Sequence, residues 1–302
     1  MRPSQGREGR AWTGEAAWTF RAGVLLGGFR QEACLTRFDP WLAEWGLVPD
    51  GVPFETHAAA LLPVRRGETP AMLKLAVSEE ERRGAELLAW YGGEGAVRVL
   101  EKAGEALLME RVVGLRSLAG MARSGQDDEA TRILCDVAAK LHEPRDEEPP
   151  EGLAPLPLWF RSLAVAANRH AGPYALAAAV AEELLEAPQD LTVLHGDLHH
   201  GNVLFDDARG WLAIDPKGLI GERGYDFANM LCNPDPSTAT APDRLVRQLD
   251  VICEAAGVER ARQLMWTITY CALSASWTLE GGGDPSPKLA LLEIAAETLE
   301  AG

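Results

Sequence analysis

Residues 195–204 read HGDLHHGNVL, and residues 211–218, a short distance further along the chain, read WLAIDPKG. Apolar runs that predict short β-strands lie before the first motif and at the start of the second. Three of the six histidines of the chain fall within residues 195–200. Because such a density of polar side chains between two apolar strands is not typical of core packing, we interpret residues 195–218 as the segment that carries chemistry.

Three polar side chains in this segment have the spacing that phosphoryl transfer from ATP needs. The transition state spreads negative charge over the phosphoryl oxygens, so a divalent metal with carboxylate and amide ligands must bridge the phosphates. A separate carboxylate must orient the acceptor hydroxyl and take its proton. Asp197 and Asn202 have the D-x-x-x-x-N spacing of a kinase catalytic loop, and Asp215 follows the next predicted strand. We therefore predict Asp197 as the catalytic base and Asn202 and Asp215 as ligands of Mg²⁺.

A lysine on a strand, oriented by a glutamate on a helix, must also hold the ATP phosphates. The strand predicted over residues 71–77 contains Lys74. A helix is predicted directly after it, because Ser78 and Glu81 have capping-box spacing. We predict Lys74 as the phosphate-binding lysine and Glu86, twelve residues further along, as its partner. Three other acidic residues on the same predicted helix are alternatives for that partner: Glu79, Glu80 and Glu81.

The order of the predicted elements indicates two lobes. Strand patterns dominate residues 36–113, whereas residues 114–302 show mainly the periodicity of helices. Strands followed by helices are typical of an α+β arrangement. We predict a small strand-rich N-lobe over residues 36–113, which holds the nucleotide, and a larger helical C-lobe over residues 114–302, which holds the catalytic loop and the acceptor. Residues 1–35 are rich in glycine and arginine, show no sustained period and are predicted to be a poorly ordered leader.

With these motifs in place, the chain resembles the aminoglycoside phosphotransferase family, small-molecule kinases with a two-lobed, protein-kinase-like fold. The H-G-D-x-x-x-x-N motif of the family matches residues 195–202, and its I-D metal motif matches Ile214-Asp215. The DPKG sequence at residues 215–218 is most similar to the streptomycin 6-kinase and hydroxyurea kinase branch. The resemblance spans about residues 46–302 and is strongest over residues 195–226. It implies an ATP- and Mg²⁺-dependent phosphotransferase that inactivates an aminoglycoside antibiotic, with streptomycin as the expected acceptor.

The resemblance also implies roles for residues outside the central motif. His195 would support the catalytic loop by hydrogen bonding, and Asp226 would brace the same loop through its backbone groups. Backbone groups of the linker between the lobes would hold adenine; its residues are Met109, Glu110 and Arg111. Charged residues that are candidates for contact with the acceptor are Lys217, Glu222 and Glu280.

The charge and cysteine content restrict the classes of partner. The formal net charge is −16, so the basic face that nucleic-acid binding usually needs is not indicated. Anionic membrane surfaces are disfavoured for the same reason, whereas a cationic small molecule such as streptomycin suits an acidic protein. The chain has five cysteines without CxxC spacing and no secretion signal pattern, which predicts reduced thiols in the cytoplasm. No pattern in the sequence sets the oligomeric state.

Three alternatives stay open at the level of the sequence. The same chemistry could use hydroxyurea or a metabolite alcohol as its acceptor. A nucleotide-binding pseudokinase scaffold is expected to have lost the base, a metal ligand or the lysine. The base, both metal ligands and the lysine are all present in this sequence, as Asp197, Asn202, Asp215 and Lys74. A zinc hydrolase would use the histidines at 195, 199 and 200, but H-x-x-x-H-H within a tight loop does not match the usual spacing of zinc ligands.

Overall fold

The computed structural model describes residues 36–56 and 59–302, so the predicted leader over residues 1–35 lies outside the described residues. The elements of the N-terminal part are α1 (Asp39–Glu44), β1 (Leu47–Pro49), β2 (Phe54–Glu55), β3 (Ala59–Arg66), β4 (Thr69–Ala76), α2 (Glu79–Trp90), β5 (Val99–Ala103) and β6 (Ala106–Glu110). Its strands form a six-stranded antiparallel sheet with the order β1-β3-β4-β6-β5, in which β2 also pairs with β3.

The apolar run in β3 is continuous because both faces of the sheet are covered. Ala60 and Leu62 pack with Phe38, the residue before α1, whereas Leu61 belongs to the main core on the opposite face. The turn to β4 consists of two residues and begins with Gly67 at a φ of +60°. Pairing continues to Arg66 and Thr69, which is further along both strands than the apolar pattern extends.

Helix α2 starts where its sequence predicts and packs against the segment after Asp215. The Ser78 hydroxyl accepts a hydrogen bond from the backbone N–H of Glu81 at 3.2 Å, which caps the helix. A Cβ atom at Gly84 would overlap the carbonyl oxygen of Pro216, so glycine permits the close approach. The helix that follows the Lys74 strand is thereby fixed against the Asp215 segment.

Helices dominate the C-terminal part, and two small sheets frame the motif segment. The strands are β7 (Ala154–Pro155), β8 (Leu191–Leu194), β9 (Val203–Asp206), β10 (Gly210–Ala213) and β11 (Leu219–Glu222). Strand β8 leads into the 195–202 loop, the β9–β10 hairpin leads to Asp215, and β11 pairs with β8 and β7. The helices are α3 (Leu118–Arg123), α4 (Asp127–His142), α5 (Leu156–Trp159), α6 (Arg161–Arg169), α7 (Pro173–Glu186), α8 (Gly224–Leu231), α9 (Pro236–Ala239), α10 (Arg244–Ala256), α11 (Arg260–Glu280) and α12 (Ser286–Glu300).

The predicted α+β arrangement, with a strand-rich N-terminal region and a helical C-terminal region, is confirmed by these elements. One large core cluster extends from residues of β3 and α2 to residues of α11 and α12, so the two regions share apolar contacts. Within the described part of the chain, no helix is both long and apolar enough to cross a membrane.

Candidate active site

The side chain of Asp197 is held by two amide groups. Asn202 Nδ2 donates to Asp197 Oδ2 at 3.0 Å, and Asn229 Nδ2 donates to Asp197 Oδ1 at 3.0 Å. The side chain is still 30% exposed, so these two bonds leave part of the carboxylate accessible. A fixed, partly exposed carboxylate is suited to orient a hydroxyl group and to accept its proton.

Asn202 presents its amide in one orientation. Its Nδ2 donates to the carbonyl oxygen of Asp197 at 2.8 Å as well as to the carboxylate, so Oδ1 is the oxygen left to bind a cation. The carbonyl oxygen of Asn202 accepts the backbone N–H of Ile214 at 2.9 Å, which ties the loop to the residue before Asp215. This amide is therefore oriented as a metal ligand would be.

The backbone of the 195–202 loop is held by a buried carboxylate. Asp226 Oδ2 accepts the N–H of His195 at 2.9 Å, and Oδ1 accepts the N–H of Gly196 at 2.8 Å. His142 Nε2 lies 2.9 Å from Asp226 Oδ2. Gly196 has a φ of +84°, and a Cβ atom there would approach the Leu219 side chain to 2.8 Å. The Asp226 carboxylate thus fixes the backbone of the loop at residues 195 and 196.

His195 is buried, and its neutral ring forms hydrogen bonds with the same loop. Its Nε2 donates to the carbonyl oxygen of Ile214 at 2.9 Å, and its Nδ1 accepts the N–H of Asp197 at 3.2 Å. These two bonds need one protonated and one unprotonated nitrogen. Burial lowers the pKa of His195 although the nearby Asp226 and Asp197 carboxylates act in the opposite direction. The ring therefore links the backbone at Asp197 to the carbonyl oxygen of Ile214 by hydrogen bonding.

Asp215 and Lys74 form an ion pair in the cleft. Asp215 has a φ of +64°, a left-handed conformation that aspartate and asparagine tolerate better than most residues. Burial would raise the pKa of Asp215, but the Lys74 and Lys217 ammonium groups lower it to about 2. Burial would likewise lower the pKa of Lys74, but the Asp215 and Glu81 carboxylates raise it. Both groups are therefore charged at neutral pH, as binding of metal and phosphate requires.

The partner of Lys74 is Glu81, which corrects the prediction of Glu86. Lys74 Nζ contacts both Asp215 and Glu81, whereas Glu86 pairs with Lys102 of β5. Five positions along a helix correspond to a rotation of about 140°, so the two glutamates face different neighbours. The capping-box spacing from Ser78 to Glu81 was the available signal, because a helix that begins directly after the strand places its first turn beside Lys74.

Exchange of Glu81 and of Glu86 for glutamine is expected to separate these two roles. Loss of a charge-assisted contact removes about 1.5–3 kcal/mol, so E81Q should lower kcat/KM for ATP by about 10- to 100-fold. E86Q is the matched control, with kcat/KM expected within about twofold of wild type, because a half-exposed ion pair contributes little. Steady-state kinetics with varied ATP and the melting temperature of both variants measure the difference. Equal losses in the two variants would contradict the assignment of Glu81.

Lys217 fastens α2 to the segment after Asp215. Its Nζ lies 3.2 Å from Glu80 Oε1 and 3.2 Å from Glu81 Oε1, and its carbonyl oxygen accepts Nε of Arg83 at 3.0 Å. Burial would lower the pKa of Lys217, but the Asp215 and Asp197 carboxylates raise it. Lys217 therefore adds a positive charge beside the acidic centre, and its role as an acceptor contact stays a prediction.

Glu222 is not available for the acceptor, which corrects that candidate. It is buried in β11, and Arg262 Nε and Nη2 each donate to its carboxylate at 2.6 Å. Trp266 Nε1 and the backbone N–H of Gln189 donate to the same carboxylate at 2.6 and 2.8 Å. These four donors satisfy the carboxylate oxygens, so Glu222 has a structural role. No pattern in the sequence around Glu222 indicated that role. Glu280 is the exposed last residue of α11, and its predicted contact with the acceptor stays a prediction.

The side chains of the predicted adenine linker make contacts within the protein. Met109 is buried in β6, and Glu110 accepts the N–H of Arg98 at 2.7 Å and pairs with Arg209. Arg111 pairs with Asp50 beyond β1. Any contact with adenine would therefore use backbone groups, which is the form in which the resemblance implies it.

Asn202 and Asp215 fit a magnesium ion held jointly by protein and phosphate oxygens. Mg²⁺ prefers few protein ligands and keeps positions for phosphate and water, which matches one free amide oxygen and one ionised carboxylate. No group of three or more His, Cys, Asp or Glu residues among residues 36–56 and 59–302 is arranged to hold a metal by itself. His199 Nδ1 accepts the N–H of Gly201 at 3.0 Å, and His200 is buried. This donor set gives the zinc hydrolase alternative no support.

Comparisons with known proteins show the family to which the chain is similar. A family model described as aminoglycoside/hydroxyurea antibiotic resistance kinase matches residues 44–282. The chain is 48% identical over 263 residues to a streptomycin 3''-kinase of Klebsiella pneumoniae, covering 85% of this chain and 98% of that protein. It is 34% identical over 295 residues to a streptomycin 6-kinase of Streptomyces griseus, covering 92% of this chain and 88% of the relative.

The fold is similar to that of solved aminoglycoside phosphotransferases. The crystal structure of aminoglycoside phosphotransferase APH(4)-Ia superposes with a TM-score of 0.61 at 13% sequence identity. The match covers 90% of this chain and 99% of that chain. At this identity the likeness shows the fold, and it confirms the protein-kinase-like, two-lobed class.

Proposed function

Because this chain belongs to the aminoglycoside/hydroxyurea antibiotic resistance kinase family, we propose that it phosphorylates a hydroxyl group of streptomycin with ATP and Mg²⁺ and so inactivates the drug. The observation that carries the choice of acceptor is the 48% identity to a streptomycin 3''-kinase over 98% of that protein. The net charge of −16 supports a cationic acceptor, because an acidic cleft concentrates cations. The named relatives differ in the hydroxyl that they modify, and the higher identity favours the 3''-hydroxyl.

In the proposed step, the acceptor oxygen bonds to the γ-phosphorus of ATP while the bond from that phosphorus to the bridging oxygen breaks. Asp197 orients the hydroxyl and takes its proton, and ADP leaves with the electron pair of the broken bond. Lys74, oriented by Glu81, binds the α- and β-phosphates. Asn202 Oδ1 and the Asp215 carboxylate would hold Mg²⁺, which when bound neutralises charge on the phosphate oxygens.

Release of ADP from Mg-ATP in the presence of different acceptors tests this proposal. Streptomycin is expected to stimulate ADP release well above the rate without acceptor, and ³¹P and ¹H NMR of the product should place the phosphate on the 3''-hydroxyl. Phosphate on the 6-hydroxyl would retain the enzyme class and overturn the position. Kanamycin, which shares the cationic character, is the control for a general preference for aminoglycosides.

Hydroxyurea is the second candidate acceptor, because the matching family model includes hydroxyurea kinases. Hydroxyurea carries no guanidinium group, so the two acceptors differ in their response to ionic strength. Salt should raise KM for streptomycin by screening its attraction to the acidic chain, and it should leave KM for hydroxyurea nearly unchanged. Stimulation by hydroxyurea alone would contradict the streptomycin proposal, and binding of Mg-ATP without turnover of any acceptor would favour the scaffold alternative.

A further inference from the structure

We infer that Asn229 is a positioning residue that fixes the carboxylate of the catalytic base, and that Asn233 fixes the orientation of the Asn229 amide. The inference deepens the proposed function and rests on it, because it takes Asp197 as the group that accepts the hydroxyl proton. Neither asparagine belongs to the central sequence motif. Asn229 lies 27 residues and Asn233 lies 31 residues beyond Asn202.

Asn229 lies on the helix that also holds the backbone of the catalytic loop. The residue is 2% exposed, and its Nδ2 donates to Asp197 Oδ1 at 3.0 Å. Asp226, three positions earlier on α8, accepts the N–H groups of His195 and Gly196. Residues three apart share one face of a helix, so a single turn of α8 holds both the loop backbone and the carboxylate of the base.

The amide of Asn229 can take only one orientation while Asn233 is in place. Asn233 Nδ2 donates to the backbone carbonyl oxygen of Asn229 at 2.9 Å and to Asn229 Oδ1 at 2.9 Å. A flipped Asn229 amide would set its NH₂ against the NH₂ of Asn233 and its Oδ1 against the Asp197 carboxylate. Both contacts would be repulsive, so Asn233 keeps the donor of Asn229 directed at the base.

Asn233 is anchored in its turn to a buried ion pair. Its carbonyl oxygen accepts Nη2 of Arg244 at 2.9 Å. Arg244 donates through Nε and Nη2 to the two oxygens of Asp127 at 2.7 and 3.0 Å, and both side chains are buried. A chain of contacts therefore runs from the packed α4–α10 interface to Asp197.

The arrangement leaves Asp197 with one donor on each oxygen. Asn202 holds Oδ2 and Asn229 holds Oδ1, so the carboxylate cannot rotate without losing one of the bonds. A general base must stay within hydrogen-bond reach of the proton that it takes, and displacement by about 1 Å can cost on the order of 100-fold in rate. Nucleotide binding uses Lys74 and the metal ligands, so it does not depend on Asn229.

Exchange of Asn229 for leucine, which has a similar shape and no donor, tests the inference. N229L is expected to lower kcat by about 10- to 100-fold with KM for ATP within about threefold of wild type. N233D should lower kcat in the same way, since its carboxylate cannot donate to Asn229 Oδ1. If Asn233 acts through Asn229, the double variant N229L/N233D should be no slower than N229L.

Control measurements distinguish positioning from a general loss of stability. N168L is the matched control, because Asn168 is exposed on α6, donates to the carbonyl oxygen of Ala164 and should leave kcat unchanged. Melting temperatures and the Kd of Mg-ATP accompany each variant. A kcat within twofold of wild type in N229L, or losses in kcat that simply multiply in the double variant, would overturn the inference.

A readout that needs no acceptor keeps this test independent of the proposed function. With asparagine side chains labelled by ¹⁵N, the Asn229 amide protons should show a shift and slow exchange that are lost in D197A, while the Asn168 signals stay in place. No turnover with any acceptor would remove the proposed function and leave this contact testable. An Asn229 signal that does not respond to D197A would overturn the contact itself.

Discussion

Replacing Asp197 by alanine is expected to lower kcat by about 10²- to 10⁴-fold, the range typical of a lost general base. The reason is that the carboxylate is partly exposed and is held by the amides of Asn202 and Asn229 on its two oxygens. Alanine is preferable to asparagine, because a new amide NH₂ at position 197 would face one of those two donors. Streptomycin-dependent release of ADP measures kcat, and calorimetric titration with Mg-ATP should show a Kd within about threefold of wild type.

The matched control for this experiment is D207A. Asp207 is exposed in the turn between β9 and β10, five residues beyond Asn202, so it shares the chain region but not the site. Its kcat should equal that of wild type within error. More than a tenth of the wild-type kcat in D197A would show that the base lies elsewhere.

Exchange of Asp215 for asparagine is expected to lower kcat/KM by about 10²- to 10³-fold, equivalent to roughly 3–4 kcal/mol of transition-state stabilisation. Asparagine also tolerates the left-handed conformation at this position, so the change removes charge without adding backbone strain. Lys74 keeps Glu81 as a partner, which limits the loss of stability. The Mg²⁺ concentration for half-maximal activity should rise at least tenfold, which separates a metal ligand from a group that only orients Lys74.

D190N is the control for backbone conformation. Asp190 also has a positive φ, at +43°, and pairs with Arg223 near the surface, away from Lys74. It should change neither kcat/KM nor the response to Mg²⁺. A D215N variant with normal Mg²⁺ dependence would exclude Asp215 as a metal ligand, even if its activity were low.

Much of the candidate site could be predicted because its groups are neighbours in the chain. Asp197 and Asn202 lie in one loop, and five residues of separation in a tight turn bring their side chains within 3.0 Å. The β9–β10 hairpin then returns the chain to Asn202, whose carbonyl oxygen accepts the N–H of Ile214, and so places Asp215 next to the loop. The start of α2 was equally local, since capping depends on residues three apart. The family resemblance based on these motifs is confirmed by the match over residues 44–282.

The remaining contacts depend on how distant elements pack, which no local pattern records. The rotational phase of α2 against the sheet decides that Glu81 and not Glu86 meets Lys74. The approach of α11 to β11 brings Arg262 to Glu222 and turns a candidate acceptor contact into a buried structural pair. The sequence by itself determined the fold class and the local placement of Lys74, Asp197, Asn202 and Asp215, because short loops and strand pairing position those side chains. Their catalytic and metal-binding roles stay predictions. Only the tertiary structure decided their partners Glu81 and Asn229, because burial and hydrogen bonding between elements far apart in the chain select which polar side chain is left facing the site.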